Sequence, residues 1–153
     1  MLKAIKAKTV RASFASIAIV ASKYNGRYVD AMLKAAQREL KKAGAKVRVV
    51  RVPGAFEVPV VAAKLASLES KPAAIICFGV IFQGQTSHAQ HVGWGVTHAL
   101  AQIQVQQRIP VIHGVFIFEQ EEHAKVRCLG RTHNRGTEAA HTALEMARVM
   151  RGL

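Results

Sequence analysis

Acidic side chains are scarce in this chain: nine Asp and Glu stand against 22 Lys and Arg, and the first of them is Asp30. The formal charge of +13 favours anionic partners, from a bound phosphate to nucleic acid or another polyanion. Cysteine is limited to Cys77 and Cys128, both in apolar or helical settings and without ligand spacing. A disulfide scaffold is thereby excluded, and two buried free thiols fit a reducing compartment. Long apolar runs are missing too. None approaches the roughly 20 residues a membrane-spanning helix needs, and the apolar stretch 17–21 leads into a helix instead of a cleavage site. No repeat, low-complexity tract or Pro/Gly-rich linker divides the chain, so the reading is one soluble cytoplasmic domain, 14–153, behind a basic amino-terminal arm, 1–13.

What the chain does have is alternation. Aromatics are only 6% while Ala, Val and Ile are plentiful, a composition suited to helices packed closely on β-branched strands. Strands are predicted at 16–21, 46–52, 73–82 and 110–118. The first helix, about 27–43, carries Val29, Met32, Leu33, Ala36 and Leu40 on one stripe and closes at Gly44. A second is expected over about 57–68. The third begins at a Thr86 or Ser87 cap and buries Val92, Val96, Leu100 and Ile103. Two more finish the chain, about 119–129 and 137–151, the last turning Ala140, Ala143, Leu144 and Ala147 inward. This order predicts an α/β, three-layer, flavodoxin-like doubly wound sheet of four parallel strands with helices on both faces. Ligands of such sheets bind beyond the carboxyl ends of the strands.

The unusual residues gather at those ends. Tyr24-Asn25 follows the first strand, Pro53-Gly54-Ala55-Phe56-Glu57 the second, and Gly84-Gln85-Thr86-Ser87-His88 the third. A glycine and a hydroxyl residue opening a helix offer free backbone N–H groups and a positive dipole end, so Gly84, Gln85 and Thr86 could hold a phosphate or merely cap. His88 lies in the first turn, where the same dipole disfavours an added charge, and fits a proton shuttle. His91 and His98 recur on this helix, but no Cys or acid stands at ligand spacing, so no metal is expected. Phe56 could stack on a planar ring, and Glu57 could accept hydrogen bonds from hydroxyls. Arg127 and Arg135 flank the join between the last two helices and could clamp an anion or simply face solvent.

Taken in order, these segments resemble the lumazine synthase family of riboflavin biosynthesis: Tyr24-Asn25, Val52-Pro53-Gly54-Ala55-Phe56-Glu57-Val58-Pro59, Gly79 through His88, Pro110-Val111, Arg127, and Asn134-Arg135-Gly136 running on to Leu144-Glu145-Met146. The resemblance implies condensation of 5-amino-6-ribitylaminouracil with 3,4-dihydroxy-2-butanone 4-phosphate to 6,7-dimethyl-8-ribityllumazine, phosphate and water, without cofactor or metal. Carried onto this chain, it implies that Tyr24 stacks on the pyrimidine where the family commonly has Phe. Ala55, Phe56 and Glu57 hold the ribityl chain, and Ile81 and Phe82 make backbone contacts to the ring. Gly84, Gln85 and Thr86 with Arg127 bind the phosphate, and His88 moves protons. His113, Arg127 and Arg135 come from an adjacent subunit. Gln83 stands where Lys or Arg is usual, Gln90 where an acid is usual, His113 where Phe is common and Arg135 where Lys is usual; loss of the acid at 90 implies a slower enzyme. Family members form pentamers, and the short connector from Arg127 to Asn134 favours a homo-oligomer that closes into a 60-subunit shell of twelve pentamers. Sixty basic arms would then favour weak nucleic acid or polyanion binding. The competing readings are a catalytically weak shell-forming scaffold with polyanionic cargo and, less well supported, a basic nucleic-acid-binding domain.

Overall fold

The computed structural model describes residues 11–153; the basic arm, apart from its last three residues, lies outside them. The strands are β1 (Ser16–Ser22), β2 (Lys46–Val52), β3 (Ala74–Phe82) and β4 (Val111–Phe118). They form one parallel sheet in the order β2-β1-β3-β4, the flavodoxin-like arrangement expected from the alternation. Register follows directly from the apolar pattern. β3 is central and its first seven residues are buried, whereas β2 lies at an edge and alternates exposed with partly covered positions.

Two apolar layers sandwich that sheet. On one face α1 (Gly26–Lys42) and the last helix, α5 (Arg135–Arg151), cover Ile17, Ile19, Ile76 and Phe78. Each of Val29, Met32, Leu33 and Leu40 on the α1 stripe is buried, and burial of such side chains is worth about 1.5–3 kcal/mol apiece. On the other face α2 (Val58–Ala66) and α3 (His88–Gln107) cover Ala18, Val20, Ile75, Cys77 and Val115. The α3 stripe is Val96, Leu100 and Ile103 as expected, with Val92 only partly covered. Both cysteines are buried free thiols, and burial pushes the Cys77 thiol up to about 12. Among the described residues, no helix is long and apolar enough to cross a membrane.

Three expectations need correction. The segment read as a helix over 57–68 begins with a tight turn, Ala55–Glu57, and becomes α-helical only at Val58. The Glu57 carboxylate accepts from the Gly54 N–H at 2.9 Å, and Pro59 sits in the first turn, where its missing N–H costs nothing. The helix placed over 119–129 is instead one short α-helical piece, α4 (Glu121–Ala124), followed by a wide π-type turn, Lys125–Leu129. The Asn134 side-chain amide donates to the Cys128 carbonyl at 2.7 Å, satisfying one of the carbonyls that the end of a helical segment leaves without an internal partner. Asn134 then caps α5 by accepting from the Gly136 N–H at 2.8 Å, so that helix starts at Arg135, two residues before the expected Thr137.

Candidate active site

The turns that close β1 and β2 are tied together by backbone. The N–H groups of Lys23 and Tyr24 donate to the Pro53 carbonyl, each at 3.0 Å. Tyr24 is thereby laid over Gly54, where an added Cβ would come within 3.0 Å of its ring and 2.9 Å of the Glu57 carboxylate. Only glycine leaves room for the two to meet. Ala55 rests on Gly79 of β3, whose missing side chain lets the turn settle on the sheet, and Phe56 lies against Gly95 of α3. Tyr24 and Phe56 nevertheless remain open, at 68% and 65% exposure, two large rings presented to solvent beside one carboxylate.

Arg51 braces this end of the sheet. Its guanidinium donates to the Ala21 carbonyl at 3.2 Å and the Ser22 carbonyl at 3.0 Å while pairing with Asp30 at 2.8 Å. Asn25 supplies a second brace: its side-chain amide donates to the Val80 carbonyl at 2.7 Å, joining the β1 turn to the strand that carries Ile81 and Phe82. Asn25 adopts a left-handed backbone, φ 54°, which Asn tolerates better than most residues. Thermal unfolding should therefore rank wild type above Asn25→Gly and Asn25→Ala lowest. Glycine loses only the bond, about 1 kcal/mol, whereas alanine adds about 1 kcal/mol of left-handed strain. An Ala variant as stable as the Gly variant would show that the backbone is not held this way.

Beyond β3 the chain forms an unusual loop. The Gln83 side-chain amide donates to the carbonyls of Gly84 at 3.1 Å and Thr86 at 2.7 Å. Those carbonyls are thus turned toward Gln83, and among the described residues nothing accepts from the N–H groups of Gly84, Gln85 or Thr86. An added Cβ at Gly84 would meet nothing within 4 Å, so the space over the loop is open. The loop ends at Ser87, which occupies the cap position of α3 without a side-chain capping bond; the Thr86 hydroxyl instead accepts a long 3.4 Å bond from the His88 N–H. His88 is the first residue of the helix and is exposed beside these free amides. The departure at Gln83 therefore has a structural role: it organises the loop.

A family model described as 6,7-dimethyl-8-ribityllumazine synthase matches residues 15–151. The chain belongs to the lumazine synthase family. A lumazine synthase of Stenotrophomonas maltophilia strain R551-3 is 38% identical over 142 residues, 91% of each chain. One of Xanthomonas campestris pv. campestris strain B100 is 37% identical over 144 residues, 92% of this chain and 93% of its own. Another, of Xanthomonas euvesicatoria pv. vesicatoria strain 85-10, is 35% identical over the same length. Lumazine synthases are transferase-type enzymes of riboflavin biosynthesis, and membership assigns the chain to that class.

Within this lumazine synthase fold, Arg127 and Arg135 do come together. They line a cavity of about 320 Å³ with Phe116, Phe118, Glu119 and His123 at the carboxyl end of β4. Arg127 is carried by the π-type turn, its guanidinium directed back to the His123 carbonyl at 3.5 Å. Arg135 pairs with Glu138 at 2.5 Å and lies 6.0 Å from the Phe116 ring centre. The strand-end group of Tyr24, Ala55, Phe56, Glu57 and His88 does not line that cavity. His113 is separate again. It faces α3, on the side of the sheet where Ile117 meets Gly93, and its Nε2 lies 2.8 Å from the Thr97 hydroxyl. Crowding of the ring by protein lowers its pKa below the ordinary histidine range, offset in part by a backbone hydrogen bond, so the neutral imidazole is favoured. Sequence reasoning missed Glu119 and His123; the second was legible as a His one helical turn before Arg127. No cluster of three His, Cys, Asp or Glu is placed to hold a metal among the described residues.

Proposed function

We propose that the chain condenses 5-amino-6-ribitylaminouracil with 3,4-dihydroxy-2-butanone 4-phosphate, forming 6,7-dimethyl-8-ribityllumazine and releasing phosphate and water. The observation that carries this reading is the loop 84–86, whose carbonyls are engaged by Gln83 and whose free amides open beside His88. Free amides at a helix start suit a phosphate, and a histidine two residues beyond them in the chain suits a reaction in which phosphate leaves as protons move. Tyr24 is the stacking partner of the pyrimidine, Ala55, Phe56 and Glu57 accommodate the ribityl chain, and the backbone of Ile81 and Phe82 reads the ring edge. Glu57 spends one carboxylate oxygen on Gly54, leaving the other for a hydroxyl.

The chemistry asks little more of the protein. The uracil's amine adds to the ketone and loses one water to give an imine. A proton then leaves the neighbouring hydroxyl-bearing carbon as phosphate departs, the enol so formed ketonises, and the ribityl-bearing nitrogen closes on that new carbonyl with loss of a second water. Both partners are already reactive, so holding them in register supplies most of the acceleration. Proton traffic falls to His88.

The second half of the site, Arg127 and Arg135 with His113, is contributed by a neighbouring subunit in this reading. Val60 of α2 and Trp94 and Val105 of α3 are 68%, 78% and 74% exposed on one helical layer, an apolar surface that fits burial against another copy. The assembly is a pentamer, and the 60-subunit shell of twelve pentamers is its closed form. Weak polyanion binding by the excess of positive charge belongs to the same proposal, as does a cytoplasmic location, which the two buried free thiols fit. Mixing the purified chain with both substrates should generate the lumazine absorbance at steady state. A correctly folded shell that makes no chromophore would instead be the scaffold alternative.

A further inference from the structure

We propose that His123 completes the phosphate site, taking up a proton as the phosphate dianion binds; this rests on the reading that Arg127 holds the phosphate. The cavity at the end of β4 brings four ionisable side chains together: Glu119, His123, Arg127 and Arg135. Its fixed charges nearly cancel. Arg127 shares the lining with the Glu119 carboxylate, and Arg135 is already paired with Glu138 at 2.5 Å. A dianion entering such a group meets two guanidiniums and two carboxylates and gains little from them unless another positive charge is present. The imidazole of His123 is the one remaining ionisable group of the lining, and protonated it would supply that positive charge with two N–H donors.

Geometry supports the assignment. His123 stands one turn before Arg127 in the same short helical segment, and Arg127 bonds back to its carbonyl at 3.5 Å, so both side chains share a wall. The neighbouring charges are otherwise engaged: Lys125 pairs with Glu122 at 2.6 Å, and Glu121 accepts from the Tyr28 hydroxyl and lies 3.9 Å from Arg27. Across the proposed subunit boundary, His88 is the titratable group that the same reading assigns beside the phosphate.

Inorganic phosphate is the probe, titrated calorimetrically into the assembled full-length protein at pH 6 and pH 8. At pH 6 wild type should bind about fivefold more tightly than His123→Gln, the upper range for an exposed ion pair, and the two should converge at pH 8. Comparing proteins at one pH cancels the ionisation of phosphate itself and of His88. His123→Arg should hold the tighter affinity at both pH values. Equal affinities for wild type and His123→Gln at pH 6 would overturn the inference while leaving Arg127 in place. An Arg127→Ala protein that binds phosphate as well as wild type would overturn the underlying phosphate reading itself.

Discussion

His88→Ala should lower the rate of lumazine formation about a hundredfold, or roughly 2.7 kcal/mol of barrier, without changing the thermal melt. The side chain is exposed at the first position of α3 and packs into neither core layer, so its removal leaves no cavity. The expected loss sits at the low end of general acid–base effects for a reason. In the proposed reaction, positioning of an amine and a ketone persists without the imidazole, and the free amides at 84–86 would still stabilise departing phosphate. A merely structural histidine would affect stability and rate together, whereas a proton shuttle affects the rate alone. Wild-type turnover in the Ala variant would remove His88 from the mechanism. Gln90, two residues on, supplies no carboxylate to fix the imidazole tautomer, so Gln90→Glu should raise the wild-type rate in the same assay.

The fold was largely readable because its elements are periodic. The charged-apolar alternation of Lys46 to Val52 matches β2 residue for residue, and the stripe from Val29 to Leu40 is the buried side of α1. What was not readable depends on partners distant in sequence. The π-type turn at Lys125–Leu129 is tied from outside by Asn134, which donates to the Cys128 carbonyl, and no local propensity encodes that bond. Gln83 looked like the loss of a cation; its value lies in two carbonyls that only the folded loop presents to it. The strand ends stood out as the candidate site from residue types alone, Tyr24, Glu57 and His88 among them, since such residues have no packing reason to collect there. His113 shows the reverse. A period-of-two count along β4 sets it with Val115 and Ile117 on the α3 side, opposite Phe116, so a shared role with Arg127 and Arg135 was suggested by the family resemblance alone.

Gly136→Ala should be the most damaging single methyl group in the protein. Its Cβ would lie 2.0 Å from the Met32 carbonyl oxygen and 2.6 Å from the carbon behind it. Both belong to the backbone of α1, which cannot yield without breaking helix hydrogen bonds or pushing α5 away from the helix that buries Met32, Leu33 and Ala36 against it. The cost should be about 3–5 kcal/mol, a fall in melting temperature of about 10 °C or more. Gly93→Ala makes the instructive comparison. There the added Cβ would approach within 2.3 Å of the Ile117 Cδ1, nearly as severe a clash on paper, but the obstacle is the tip of a side chain that can turn aside. That variant should lose only about 1 kcal/mol. Gly136 also neighbours Arg135, so any Gly136→Ala protein that does fold should bind inorganic phosphate more weakly, its guanidinium displaced with the start of α5. A melt within a few degrees of wild type would mean that α1 and α5 do not approach as closely as their backbones are placed.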